Sequence, residues 1–162
     1  MKSLVLLSLI LFLSMPQAFS QSEKGYIYWS EDRPLTWKDF KGKPSKTSYY
    51  HAQTQGVLNY GFDNTGPGAY TFKLNVKFSK NDSWAKPEET TDNLLRHEQG
   101  HFDIYEIYGR IIMKKIQDSK ALDDPKFSDI IEKIFKTSFT ELQDFQKEYD
   151  KETNHSKDKD KQ

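Results

Sequence analysis

The chain has 162 residues, with 24 basic and 24 acidic side chains and so no net formal charge. That balance argues against a dedicated nucleic-acid or membrane-surface binder. With no cysteine, neither a disulfide nor lipid attachment to a cysteine is open to it.

Residues 1–20 read as an export leader rather than as part of the fold. Lys2 supplies a positive start and Leu4 to Leu13 is a nearly unbroken apolar run, short for a bilayer span. Ala18-Phe19-Ser20 places small residues before a cut that leaves Gln21 first. Cleavage removes Lys2 and leaves the balance one unit negative. The expected product is exported, periplasmic or secreted, with no stable membrane insertion once the leader is gone. Residues 21–155 are then long enough for a single domain with its own core, and 156–162 are a charged, flexible tail.

The first half reads as β. Tyr26 to Trp29 is a short aromatic strand, and Pro34 to Phe40 a helical turn or loop with two aromatic anchors. From Ala52 to Phe62, small and apolar residues alternate with others, which predicts one strand with one buried face. Asp63 to Gly68 is dense in turn residues. Tyr70, Phe72, Leu74, Val76 and Phe78 then alternate with Thr71, Lys73, Asn75 and Lys77, so the two strands form a hairpin. Lys80 to Pro87 reads as a loop holding Trp84.

The second half reads as two long helices. The first runs from about Glu88 to Asp118, with a start at Thr90 or Thr91. Leu94, His97, His101, Ile104, Tyr108, Ile111 and Ile112 share one stripe of it. Asp124 can cap a second helix whose first residue is Pro125 and which runs to about Asp150. Its expected buried stripe is Ile131, Ile134, Phe135, Phe139, Leu142, Phe145 and Tyr149. The fold class is therefore α+β, an N-terminal antiparallel sheet packed on two long C-terminal helices.

Within the first helix, His97-Glu98-Gln99-Gly100-His101 reads H-E-x-x-H and uses two of the four histidines in the chain. Imidazoles four apart on a helix point the same way and can share one zinc ion, and the glutamate can take a proton from water at that ion. Zn2+ is thus the expected cofactor, His97 and His101 two of its ligands, and Glu98 the general base. A catalytic zinc takes a third protein ligand. At roughly 100° per residue, Asp103 and Glu106 point away from the histidine face, so that ligand comes from elsewhere. His155 lies just past the second helix, whose end sits beside the start of the first if the two run antiparallel. His51 opens a strand that could meet the site. Asp150 and Asp103 are candidate acceptors for ligand N–H groups. Tyr149, Tyr108 and Tyr105 are candidate donors to a developing oxyanion. Gly100 allows a close approach to the metal or the sheet, and an edge strand in the first half could bind extended peptide by strand addition.

Three segments carry a resemblance. They are Leu35-Thr36-Trp37-Lys38-Asp39-Phe40-Lys41-Gly42-Lys43-Pro44, Leu94 to Ile104 around the two histidines, and Tyr149-Asp150-Lys151-Glu152-Thr153-Asn154-His155. In this order they resemble the bacterial family called domain of unknown function 922, described as secreted zinc-dependent proteases. The resemblance implies a minimal zincin-like fold, His155 as third ligand, and a peptide or protein as substrate. The family pattern has glycine after that histidine, where this chain has Ser156. The expected function is an exported zinc metallopeptidase that hydrolyses peptide bonds through a zinc-activated water. The alternative is a non-catalytic, zinc-stabilised binding or structural domain. Retention of Glu98 favours the enzyme, because a purely structural site has no use for it.

Overall fold

The structure, a computed structural model, describes residues 23–44, 46–66 and 69–161. The leader expected over residues 1–20, and the cut before Gln21, lie outside the described residues.

The hairpin expected from period-two patterning is the frame of the molecule. Strands β3 (Gly56–Gly66) and β4 (Ala69–Ser79) pair antiparallel, with Leu58 opposite Val76 and Phe62 opposite Phe72. β1 (Tyr26–Tyr28) adds to the far end of β4, giving the sheet order β1-β4-β3. Leu58, Phe72, Val76 and Phe78 are buried on the inner face. Lys77, expected on the outer polar face, is also buried. It pairs with Glu23 at 2.8 Å, and its ammonium lies 4.7 Å from the Tyr26 ring centre.

Three local expectations change. The strand expected over Ala52 to Phe62 is two strands. β2 (Ala52–Gln53) leaves the hairpin to pair with β5 (Trp84–Ala85), inside the segment expected to be a loop. The break is held by Gln55, whose N–H donates to Ser83 Oγ and whose carbonyl accepts from the Ser79 N–H. The strands also run further into the turn sequence, through Asp63 to Gly66, with a register irregularity between Asn64 and Gly66.

Helix α1 (Asp92–Ser119) starts where a cap was expected: Thr91 accepts the Leu94 N–H at 3.1 Å. Its buried set is Leu94, His97, Glu98, Phe102, Ile104, Tyr105, Gly109, Ile112 and Ile116, wider than the single stripe expected, because the sheet covers one side and α2 the other. A Cβ on Gly109 would stand 2.7 Å from Val76, so this glycine lets the helix settle on β4.

Helix α2 (Phe127–Glu152) begins later than Pro125. Asp124 takes the Lys126 N–H at 2.7 Å, an Asx-type turn that spends its carboxylate before the helix begins. Ile131 and Leu142 are fully buried, and Ile134, Phe135 and Tyr149 partly so. Phe139 and Phe145, expected in the core, are 38% and 50% exposed. They lie at the margin of the contact with α1, Phe145 beside Tyr108 and Phe139 stacked on Phe135. Among the described residues no helix is long and apolar enough to cross a membrane. The expected α+β class, sheet first and two helices after, is the fold seen.

Candidate metal centre

Four-residue spacing on α1 puts His97 and His101 one turn apart, and their Nε2 atoms are 3.2 Å from each other. Both rings are largely buried. The close approach of α2 sets their orientation. Gly100 separates the two histidines, and a Cβ there would come within 2.2 Å of the Tyr149 hydroxyl. The glycine therefore admits α2, rather than the sheet or a metal as expected. Tyr149 stacks on His97 at 4.9 Å, lies edge-on to His101 at 5.0 Å, and donates to the His97 carbonyl at 3.4 Å.

The other ring nitrogen of each histidine has its own partner, one from α2 and one from its C-cap residue. Gln146 donates its amide N–H to the His101 carbonyl at 3.0 Å, which leaves its Oε1 to face His101 Nδ1. An amide oxygen can only accept, so Nδ1 carries the proton. Thr153, fully buried, spends its hydroxyl proton on the Tyr149 carbonyl at 2.7 Å and faces His97 Nδ1 at 3.3 Å. It too is left to accept. In neutral rings both Nε2 lone pairs then point into the same space.

Asp150 and His155 close that space. Asp150 Oδ1 lies 3.1 Å from each histidine Nε2, and these three donor atoms all fall within 4.8 Å of one another. His155 Nδ1 is 3.5 Å from the same oxygen, and is buried without a hydrogen-bond partner. Burial pushes the Asp150 carboxyl upward, but hydrogen bonds from His101 and His97 outweigh it and hold the group well below the usual carboxylate range. Burial favours the neutral form of His101, and Asp150, Glu98 and Gln146 outweigh that and raise its pKa. Electron-rich atoms this close to one another require a cation between them, a proton or a metal ion. The donor set suits zinc, which takes imidazole and carboxylate ligands.

Glu98 is buried beside them, with Oε2 unpartnered. Burial raises its pKa, and the nearby His101 and His97 pull it partly back. Thr54 donates to the Glu98 carbonyl at 3.1 Å, which ties the segment after β2 to α1. Together these residues floor a cleft of about 450 Å³. Residues 49–55 form one wall, Gln143, Gln146 and Asp150 another, and His155, Ser156 and Lys157 the rim. The start of the expected tail is thus part of the cleft, and Lys159–Lys161 close the described chain as a short 3-10 turn.

Other candidates fall elsewhere. Asp103 is on the far side of α1, where it accepts from Trp29 Nε1 and Gln99 Nε2, each at 2.8 Å. It anchors the segment after β1 and orients no metal ligand. Glu106 pairs with Arg110. Tyr108 packs against Phe145 away from the cleft. Burial, then Glu98, Asp103 and Asp150, push Tyr149 up to about 12, and its hydroxyl is engaged with the α1 backbone instead of the cleft. Tyr105 does line the cleft. His51 stands on the cleft wall beside Glu89 at 3.3 Å, outside the donor group.

Gln146 and Thr153 were not among the expected site residues. Their signal was spacing: Gln143, Gln146, Asp150 and Thr153 recur every three or four residues, a polar stripe at helical period. The motif Leu35 to Pro44 turns out to be an anchor. The Leu35 N–H donates to Gln99 Oε1 at 2.7 Å, and Asp39 is gripped by Arg33 and the Thr36 N–H.

Residues 35–156 match a family described as bacterial protein of unknown function (DUF922). The chain belongs to that family. The match takes in both histidines of the helical pair, the α2 stripe and His155. No curated protein and no solved structure matches it.

Proposed function

We propose that this protein is an exported zinc-dependent metallopeptidase with a peptide or protein substrate. One observation carries the reading: Glu98 is buried, with an unpartnered carboxylate oxygen, in the same cleft as two imidazoles whose Nε2 atoms converge. Burying a carboxylate without a full set of partners is costly, and proteins keep such groups mainly where they work. His97 and His101 hold the metal, with a further donor from the end of α2 or the turn after it. Zinc, when bound, polarises a carbonyl oxygen and makes water more acidic. Glu98 would take a proton from the water as its oxygen adds to the substrate carbonyl, and pass that proton to the amine nitrogen as the C–N bond breaks. Tyr105 lines the cleft, with its hydroxyl hydrogen-bonded to the Gln143 side chain and the Gly56 backbone. β2 has no second neighbour among the described residues, and its free edge can pair with an extended substrate.

A second reading, a zinc-stabilised domain without turnover, is favoured by the four donors that gather here, since a closed structural site uses four protein ligands. Degradation of casein by the zinc-loaded protein separates the two. Glu98→Gln should lower the rate by at least about a hundredfold while zinc binding persists. Equal activity of the two forms, or none from either, sinks the enzyme reading.

A further inference from the structure

Resting on the zinc reading above, the geometry points to Asp150, not His155, as the third protein ligand, with His155 left on the substrate side of the cleft. Ligands about 2.0–2.1 Å from a tetrahedral ion stand roughly 3.3 Å from one another. The two Nε2 atoms are 3.2 Å apart and Asp150 Oδ1 is 3.1 Å from each, so this triangle already has the spacing that one ion asks for. His155 Nδ1 is 3.5 Å from that same Asp150 oxygen, and His155 falls outside the three-residue donor group.

The supporting backbone separates the two candidates further. Asp150 belongs to the regular helix α2, one turn from Gln146 and just before the helix's C-cap residue Thr153, the residues that orient the two rings. One helix and its cap therefore supply a ligand and both orienting contacts, the arrangement that precise ligand placement needs. His155 comes after the helix, in a run of three non-glycine residues with φ of 47°, 52° and 73°. Its ring leans edge-on against Tyr50, a half-exposed residue of the cleft rim, at 5.4 Å, and is itself 39% exposed. Two imidazoles and one carboxylate make a three-ligand site with a fourth position open. His155 then stands where its imidazole can donate to a substrate carbonyl.

The test needs no turnover. Zinc affinity of the purified protein is measured by competition with a chromogenic chelator, and the visible spectrum of the cobalt-loaded protein reports the ligand set. Asp150→Asn should weaken zinc by at least about a thousandfold and shift the cobalt bands, beyond the roughly 10- to 100-fold that loss of an orienting contact costs. Asp150→Glu, which keeps a carboxylate, should stay within about tenfold of wild type. His155→Ala should bind zinc within about threefold of wild type with unchanged cobalt bands, because it removes no ligand. The inference is overturned if His155→Ala loses a hundredfold, whether or not Asp150→Asn does. If Asp150→Asn does not fold, His155→Ala still decides. A wild-type protein that binds no zinc removes the zinc reading itself, a result distinct from a zinc protein with the other ligand.

Discussion

The Thr153 hydroxyl lies 3.3 Å from His97 Nδ1, across 56 residues of sequence, and accepts because its own proton goes to the Tyr149 carbonyl. It fixes which nitrogen of His97 is free. Thr153→Val keeps the shape and removes the acceptor, leaving a buried N–H without a partner. Zinc affinity should fall about 10- to 100-fold with little change in far-UV circular dichroism. Unchanged affinity would mean that stacking on Tyr149 orients the ring unaided.

Gly100 and Tyr149 make the contact that sets the depth of α2 on α1. A Cβ at residue 100 meets the Tyr149 hydroxyl at 2.2 Å and its ring carbon at 2.7 Å, so Gly100→Ala must push the helix or the ring away. The overpacking should cost about 1–3 kcal/mol in urea denaturation, despite alanine's better helix propensity. Adding Tyr149→Phe should recover part of that loss, since it removes the nearest atom. A double variant no more stable than Gly100→Ala would place the strain elsewhere.

Asp39 makes stability depend on acid pH. Burial raises its pKa, but the Arg33 guanidinium and Thr36 outweigh burial and hold it below the ordinary 3.8. A depressed folded-state value means that the contribution is complete above about 3.8 and fades as pH falls through the folded value. Asp39→Asn should therefore be less stable than wild type at pH 7, and the gap should close below about pH 3.8. Melting temperatures of both proteins across pH 2.5–7 check this, with a gap that persists at the acid end as the contrary result.

Ser156 has a φ of 73°, in the left-handed region that glycine adopts at least cost. Its carbonyl accepts from the Asn93 side chain, which pins the turn to the start of α1. Ser156→Gly should relieve backbone strain of about 1 kcal/mol, partly offset by greater freedom in the unfolded chain. A small rise in melting temperature is expected; a fall would show that the serine hydroxyl matters more than the backbone.

The helical spacing of His97, Glu98 and His101 was legible because it is a local property: residues four apart meet on any helix. Thr91 as a cap and the alternation along β4 were legible for the same reason. Gly100 was visible as a missing side chain, but not as the slot for Tyr149. β5, and the break that separates β2 from β3, were missed because two-residue strands carry no periodic signal of their own and pair only with each other.

What the chain's own order of residues determined is thus the α+β class, the helix that bears the histidine pair, and the glutamate between them. What only tertiary structure decided is the rest of the site. Gln146, Asp150 and Thr153 lie 45 or more residues from the histidines they approach, and His155 joins them in the same cleft. Their meeting depends on how far α2 slides along α1, and that register is set by a glycine on one helix and a tyrosine on the other.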